Sequence, residues 1–426
     1  MRQRPESTRF SFVTVSACGP GSPRSSAPSP SSFPSSLVAK PIGSPLPSRG
    51  AEDPSFPGKS NRPSVPRIRA REAPEPSVKY GVKHEASAGG GAFQEERARN
   101  AQVCDCSAAK ARCRKMQTMQ ERWKREAQQF LQKRGTWPDL DRCPQAKKLY
   151  VVSDLHVDFK ENMEWLEEME VMEDGALIVA GDLATSLDHL ERSLRLLASR
   201  ANVVFFCIGN HEMWCTKKDG NSVLKLEKIL KLCDQLGIWT TPGRIAPGLC
   251  VVPLQSWYNM EFASYSVNDV QALPSASAYF DAGCKWPESM CHESIGKNQS
   301  HSPYVSKFMM ELNEPLKQMD FGGDALVTFS HFIPNRTLYR GRSDLEAVMG
   351  CQYLGKQVEK LKPKVHIFGH SHMSVDRVIN GTRYLQNALG YPRERWRGCI
   401  KPTLVWAADA GTDGGFVQAG AHCTPF

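Results

Sequence analysis

The sequence contains no apolar run that approaches the roughly 18 residues needed to cross a membrane. Its first residues also lack the compact apolar stretch of a secretory signal. Acidic side chains are nearly missing from residues 1–50, where Glu6 is the only one among 13 Ser, nine Pro and six Lys or Arg. These absences exclude a transmembrane helix and give no indication of secretion.

The Ser- and Pro-rich composition at the start of the chain cannot bury a core. We therefore expect residues 1–107 to be a disordered basic extension, with an organelle transit peptide as the alternative. A basic amphipathic helix and linker are expected over 108–146, an ordered domain over 147–400 and a Gly- and Ala-rich tail over 401–426. The protein is expected to be intracellular, in a plastid or mitochondrion if the extension is a transit peptide and otherwise in the cytoplasm.

Residues 147–400, the expected ordered domain, have no net positive charge. The whole chain carries a formal charge of +9, but residues 147–400 contain 28 basic and 30 acidic side chains. A positive groove that holds a phosphate backbone needs basic residues in the domain itself. This distribution counts against a nucleic-acid partner.

Cysteine is abundant, but its arrangement does not indicate a disulfide framework. The 14 Cys are irregularly spaced, and several of them, such as Cys207 and Cys233, lie in apolar patterns typical of buried thiols. Without a secretory signal, free thiols in a reducing compartment are the expected state.

Five apolar, β-favouring segments end in residues that can bind metals. The segments are followed by D-x-H, G-D, G-N-H-E, a single His and G-H-x-H. Apolar runs of this length indicate buried strands, and ligands bind outside the carboxyl ends of strands in such sheets. The pattern predicts that these strand ends meet at one metal-binding site.

The segment that ends in G-H-x-H contains three histidines, two of which we expect to bind metal. His370 and His372 lie two positions apart, so an extended chain points both to the same side. His366 lies earlier, within the apolar run itself, and we interpret it as a core residue with its polar atoms satisfied.

Taken in order, the five motifs resemble those of the calcineurin-like metallophosphoesterase superfamily. The resemblance extends from about residue 147 to residue 396, and every metal-ligand position of the family pattern is filled. It implies an α/β fold, a four-layer αββα sandwich of two mixed β-sheets with flanking helices.

The resemblance also implies a dinuclear metal centre. It assigns Asp154, His156 and His372 to one divalent ion, and Asn210, His331 and His370 to the other. It makes Asp182 the ligand that both ions share. Carboxylate, imidazole and amide ligands suit Mn, Fe, Zn or Ni, and two such ions can hold a bridging hydroxide and clamp a phosphate.

By the same resemblance, His211 lies outside the metal shell and faces the leaving group. It would protonate the leaving oxygen or stabilise the charge that develops there.

The residues around the bridging Asp and the G-N-H-E motif differ from those of two branches of the superfamily. Protein Ser/Thr phosphatases have an acid and two arginines where this chain has Thr185, Ser186 and Ile208, and purple acid phosphatases have Tyr in place of Thr185.

The sequence therefore predicts a metal-dependent phosphohydrolase that cleaves a phosphomonoester or small phosphodiester through a metal-bridging hydroxide. Its expected partner is a phosphorylated substrate that the sequence does not identify. A nuclease of the same superfamily is the second hypothesis, and the slightly acidic domain counts against it. A catalytically inactive scaffold is the third, and the complete set of ligand positions counts against it.

Helical spacing of apolar residues predicts the elements between the strands. We expect helices over residues 161–173, 186–200, 222–236, 304–319 (interrupted near Pro315) and 343–361. Asn380-Gly381 between two β-favouring segments predicts a type I′ hairpin. The aromatic-rich segment 257–305 is the predicted substrate-selecting loop, because loops on rigid scaffolds carry specificity.

Overall fold

A computed structural model describes residues 118–264, 283–287, 290, 302–394, 400–408 and 415–418. The expected extension over 1–107 lies outside the described residues, as do 265–282 of the aromatic-rich segment. The described residues form two mixed β-sheets with helices, which confirms the predicted fold class.

The first sheet has the strand order β11-β10-β1-β2-β3. Three neighbouring strands of this sheet are parallel: β1 (Lys148–Val152), β2 (Met172–Ala180) and β3 (Ala201–Cys207). The antiparallel strands β10 (Thr403–Ala407) and β11 (Gly415–Phe416) extend the sheet beyond β1. The carboxyl ends of β1, β2 and β3 therefore lie side by side.

The second sheet has the order β4-β5-β6-β7-β9-β8. Strands β5, β6, β7 and β9 are parallel, and β4 and β8 are antiparallel additions at the two edges. The bounds of its strands are β4 (Gly243–Ala246), β5 (Leu249–Pro253), β6 (Ala325–Phe329), β7 (Val365–Ile367), β8 (Val375–Ile379) and β9 (Thr382–Gln386).

The hairpin between β8 and β9 confirms the sequence prediction. Asn380 and Gly381 have φ of +50° and +82°. Two consecutive residues with positive φ are the signature of a type I′ turn, whose twist matches that of the paired strands.

Alternation along the strands divides the core between two layers. Leu149, Ile178 and Phe205 of the first sheet face Val251 and Val327 of the second in one buried cluster. The residues between them, such as Leu177, Val179 and Phe206, pack against the helices in another cluster. Because side chains alternate sides along a strand, both faces of each sheet are covered, and the segments read as continuous apolar runs.

The helices connect the parallel strands. After helical residues 118–134 (α1), the described α-helices are α2 (Lys160–Glu168), α3 (Leu187–Arg200), α4 (Asn210–Met213), α5 (Ser222–Leu236), α6 (Ser302–Leu312) and α7 (Gln352–Leu361). Ser186 and Asn221 cap α3 and α5 by accepting a backbone N–H three residues on. None of the described helices is both long and apolar enough to span a membrane.

Two predicted helices are shorter than expected. The helix expected over 161–173 ends at Glu168, and Met172 is already the first residue of β2. The helix expected over 343–361 is a 3₁₀ helix (Ser343–Val348) followed by α7. Gly350 forms a β-bridge with Ile333 between them, so backbone pairing interrupts the helical pattern.

The ordered fold extends past both expected domain limits. Met119, Trp123 and Phe130 of α1 are buried, and Trp123 packs against Tyr304 and Phe308 with ring centroids about 6 Å apart. Helix α1 is therefore part of the core. Strand β10, which we expected in a tail after residue 400, pairs with β1.

Candidate dinuclear metal site

The predicted ligands come together at one edge of both sheets. Asp154 and His156 follow β1, Asp182 follows β2 and Asn210 follows β3. From the second sheet, His331 follows β6, and His370 and His372 follow β7. All of them except His372 are buried. The structure thus places residues separated by more than 200 positions in one cluster.

Several of these residues have an unusual backbone conformation. Asp154, His156, Asp182, His370 and His372 all have φ between +44° and +75°. Non-glycine residues in the left-handed region each cost on the order of 1–3 kcal/mol and concentrate at functional sites. The fold keeps this strain at five candidate ligands, which indicates that the direction of their side chains matters.

The glycines of two motifs allow the strands to approach the ligands closely. A Cβ on Gly209 would lie 2.1 Å from Asp182 Oδ1, and a Cβ on Gly369 would lie 2.8 Å from Asp154 Oδ2. Both distances are shorter than atoms tolerate, so no other residue fits either position without moving a carboxylate.

Asp154, His156 and His372 form the first group. Their ligand atoms lie within 4.8 Å of one another. His156 Nε2 is 3.0 Å from His372 Nε2, and His372 Nε2 is 3.5 Å from Asp154 Oδ1. This is the set that the sequence resemblance assigned to one metal ion.

Asp182, His331 and His370 form the second group, again within 4.8 Å. His331 Nε2 is 3.4 Å from Asp182 Oδ2, 3.2 Å from His370 Nδ1 and 3.1 Å from Asn210 Oδ1. The amide oxygen of Asn210 thus joins this group, as expected for the second ion.

Asp182 lies between the two groups. Its Oδ2 atom is 3.4 Å from His331 Nε2 and 3.9 Å from His156 Nε2. A carboxylate is the side chain in this set that has two oxygens to offer to two cations. The position of Asp182 therefore suits a bridging ligand.

The ring orientation of three histidines is set by acceptors behind them. His331 Nδ1 faces Ala180 O at 3.0 Å, His370 Nε2 faces Val348 O at 3.1 Å, and His372 Nδ1 faces Glu394 Oε2 at 2.8 Å. Each acceptor requires an N–H from the ring, so in the neutral imidazole the other nitrogen carries a lone pair directed into the site.

These orientations test whether the site suits a cation. The lone pairs of His331 Nε2 and His370 Nδ1 face each other at 3.2 Å, and two acceptors at this distance need a shared proton or a metal ion between them. His156 Nδ1 is buried and has no hydrogen-bond partner among the described residues. The nitrogen and oxygen donors present fit a borderline divalent metal.

The charges of the site also favour a bound cation. Burial opposes ionisation of Asp154, but the hydrogen bond from His372 and the nearby histidines lower its pKa to about 2. Burial likewise opposes ionisation of Asp182, and His331 holds its pKa well below the usual range. Burial is also outweighed at His331, where the two aspartates raise the pKa to about 9. The site thus contains two carboxylates that attract positive charge.

His211 lies beside the two groups. Its backbone N–H donates to Asp182 Oδ1 at 2.9 Å, and its Nε2 lies 3.9 Å from Asp182 Oδ2. Thr185 Oγ1 is 3.0 Å from His211 Nδ1, and Trp214 packs on the imidazole with ring centroids 4.0 Å apart. His156, Asp182 and His211 form a third group within 4.8 Å, so geometry alone allows His211 either role, ligand or leaving-group contact.

His366 has the surroundings of a core residue. It is fully buried, with Nδ1 2.7 Å from Thr328 Oγ1 and Nε2 3.1 Å from Ser330 Oγ. Burial lowers the pKa of this imidazole to about 3. Its interpretation as a satisfied core histidine is confirmed.

Sequence reasoning missed several residues that shape the site. Tyr391 places its hydroxyl 3.4 Å from His211 Nε2 and its ring 4.5 Å from that of His156. Glu394 bonds His372, and both residues belong to the loop after β9, which carries no motif.

Glu212 completes the G-N-H-E motif with a structural role. Its carboxylate accepts backbone N–H groups from Asp182, Leu183, Ala184 and Gly209 at 2.7–3.0 Å. Four N–H donors converge on one buried side chain, which joins the loop after β2 to the start of α4. The Glu of the G-N-H-E motif was visible in the sequence, but its structural role was not.

We expect Glu394→Gln to weaken the binding of one metal ion about 10–100-fold, because carboxylates behind a ligand histidine orient it and raise its basicity. Glu394 accepts from His372 Nδ1 and is only partly exposed. Metal titration by isothermal calorimetry would measure the change. Glu170→Gln, which removes an exposed carboxylate paired with Lys401, is the control. Equal affinity in the two variants would contradict this expectation.

The family model described as calcineurin-like phosphoesterase matches residues 147–374. Among curated proteins, the chain is similar to the acyl-carrier-protein phosphodiesterase PptH of Mycobacterium tuberculosis, with 25% identity over 276 residues, which cover 58% of this chain and 79% of that protein.

Two solved structures are also similar. The crystal structure of phosphopantetheinyl hydrolase (PptH) from Mycobacterium tuberculosis superposes with a TM-score of 0.49 at 23% identity, covering 60% of this chain and 95% of that one. A putative 5′-nucleotidase from Staphylococcus aureus, in complex with alpha-ketoglutarate, gives a TM-score of 0.28 at 13% identity, covering 56% and 48%.

Proposed function

The chain belongs to the calcineurin-like phosphoesterases, and from that premise we propose that it is a dinuclear metal-dependent phosphohydrolase. The observation that carries the proposal is the position of Asp182 between two groups of ligand atoms, each within 4.8 Å. A single-metal site would need only one of these groups.

The residues divide between the two ions as follows. Asp154, His156 and His372 would hold one, Asn210, His331 and His370 would hold the other, and Asp182 would contribute to both. When bound, two such ions supply a hydroxide nucleophile at neutral pH and neutralise charge on the phosphoryl group. Glu394, Ala180 O and Val348 O keep the imidazoles oriented toward them.

His211 would act at the leaving group. Its Nε2 is directed toward the same space as Asp182 Oδ2, and the contact between Thr185 Oγ1 and Nδ1 holds the ring. A hydrogen bond or proton from Nε2 to the leaving oxygen would offset the negative charge that develops there. Tyr391 borders the same space through its hydroxyl.

We propose a phosphodiester as the first substrate class to test, with phosphomonoesters second. Support comes from the mycobacterial relative, whose name describes a phosphodiesterase that acts on acyl-carrier protein. A nuclease remains the alternative, and the charge of residues 147–400, with 28 basic and 30 acidic side chains, disfavours it.

A substrate screen separates these functions. Acyl-carrier protein with its phosphodiester-linked group, small phosphodiesters, nucleotides, phosphoproteins, DNA and RNA would each be incubated with the protein and Mn, Fe, Zn or Ni. Hydrolysis of the small or protein-linked esters, with nucleic acids intact on gels, is the expected result. Cleavage of DNA or RNA in preference to the others would establish the nuclease instead.

We expect the purified protein to contain about two divalent ions per chain, because the ligands form two groups around one shared carboxylate. Elemental mass spectrometry measures this number. Chelation is expected to remove both the ions and phosphoester hydrolysis, and Mn, Fe, Zn or Ni to restore them. Full activity in protein without bound metal would refute the dinuclear proposal.

A further inference from the structure

Lys225 is a buried cation that the catalytic scheme above does not use. It lies on α5, is fully buried, and donates from Nζ to the backbone carbonyl oxygens of Thr185 at 2.6 Å and Trp214 at 2.5 Å. Burial lowers the pKa of its ammonium group, and Asp219 and Glu212 oppose that effect. Lysine is rarely enclosed in this way unless its charge is compensated by specific partners.

The two carbonyl groups belong to residues that touch His211 on different sides. Thr185 Oγ1 is 3.0 Å from His211 Nδ1, and the ring of Trp214 lies 4.0 Å from the imidazole at an angle of 36°. Thr185 belongs to the loop after β2, whereas Trp214 directly follows the four-residue helix α4. One ammonium group therefore joins the two loops between which the imidazole lies.

The other bonds at His211 hold the two loops separately. Asp158 accepts the N–H of Thr185 at 2.6 Å. Glu212 fixes the backbone of residues 182–184 and 209, but it does not reach Thr185 or Trp214. The N–H of Trp214 donates to His211 O at 3.2 Å, which closes a single turn. A helix this short has little stability of its own, so its position depends on bonds to neighbouring elements. Ser222 Oγ donates to Met213 O at 2.8 Å, and the bonds from Lys225 additionally reach Thr185.

We propose that Lys225 is a positioning residue that sets the His211 imidazole at the leaving-group side of the phosphoester site. The proposal depends on the proposed role of His211. Hydrogen bonds from a charged donor are short and strong compared with neutral ones. Without them, the direct link between the backbones of Thr185 and Trp214 is lost, and a misplacement of about 1 Å in a reacting group can cost about 10²-fold in rate.

A leaving-group series tests this proposal. We would measure kcat for the metal-loaded full-length protein on phosphoesters whose leaving alcohols range from nitrophenol to alkyl. Lys225→Met is expected to lose about 10–100-fold on alkyl leaving groups and much less on nitrophenol, which needs little help to depart. His211→Ala should give the same pattern, and the double variant should be no slower than His211→Ala alone.

Lys228→Met provides the control on the same helix. Lys228 also donates to a backbone carbonyl, that of Asp219 at 3.3 Å, but neither group contacts His211. This variant is expected to keep the activity of the unaltered protein with every leaving group. If Lys225→Met does not fold, Lys225→Gln replaces it, since a neutral amide keeps a donor, and the same leaving-group pattern with a smaller loss is expected.

Two results would overturn the proposal. A loss that is equal for all leaving groups, or a double variant whose losses multiply, would show that Lys225 stabilises the fold without acting through His211. A failure of the proposed function has a different signature: His211→Ala itself would then show no dependence on the leaving group. Metal content measured in each variant separates both outcomes from loss of the ions.

Discussion

Replacing Asp182 with Asn is expected to lower kcat/KM at least about 10³-fold and to reduce the number of bound metal ions. The carboxylate lies within 3.4 Å of His331 Nε2 and 3.9 Å of His156 Nε2, between the two ligand groups. An amide keeps its shape but loses the negative charge and one acceptor oxygen. Two metal ions supply several kcal/mol of transition-state stabilisation, and each ~1.4 kcal/mol is a factor of ten in rate.

The substitution is well suited to the backbone at this position. Asp182 has φ of +51°, and Asn tolerates the left-handed region better than other non-glycine residues. The variant should therefore fold, and loss of activity can be read as loss of chemistry. Circular dichroism and thermal melting would check the fold, and elemental analysis would count the ions.

Asp174→Asn is the matched control. Asp174 lies on the same strand, β2, also has positive φ (+54°), and its exposed carboxylate pairs with Lys147 at 2.8 Å. The same chemical change there should leave activity within twofold, since a surface ion pair contributes little. If Asp182→Asn kept two ions and a rate within tenfold of the unaltered protein, Asp182 would not be the shared ligand.

Replacing His211 with Ala is expected to lower kcat about 10²–10⁴-fold without loss of bound metal. General acid catalysis by a positioned side chain contributes a factor of this size. The backbone N–H of residue 211, which bonds Asp182 Oδ1 at 2.9 Å, is present in the variant as well. The bridging carboxylate therefore keeps that bond, and KM should change little.

Metal content decides between the two roles that geometry allows His211. His156, Asp182 and His211 have ligand atoms within 4.8 Å of one another. One ion fewer in His211→Ala than in the unaltered protein would identify the residue as a ligand and contradict the leaving-group role. His189→Ala is the control, because its partly exposed imidazole bonds Asp158 and none of the predicted ligands.

The motifs allowed most of the candidate site to be predicted because chemistry and spacing coincide at the strand ends. Seven proposed ligands and His211 follow apolar strands, whereas His366 lies inside β7, where Thr328 and Ser330 contact its two ring nitrogens. Glu394 and Tyr391 could not be predicted in this way. They follow β9 in a loop without a recognisable pattern, and only the fold brings them to His372 and His211.

Errors in the element boundaries have a common origin. Met172 has the right spacing for the apolar face of a helix, but pairing with Ala201 makes it the start of β2. Gly350 interrupts the predicted helix over 343–361 because its neighbours bond to Ile333. Long-range backbone pairing overrides local preference at such positions, and no window of sequence contains both partners.

By itself, the sequence determined the α/β class and the side chains that could bind metal, because periodicity and motif chemistry are local properties. The tertiary structure alone decided that Asp182 lies between two ligand groups, that α1 and β10 belong to the core, and that Lys225 joins the loops on either side of His211. These facts concern distances between residues far apart in the chain. Such distances arise only when the two sheets pack and their strand ends meet at one edge.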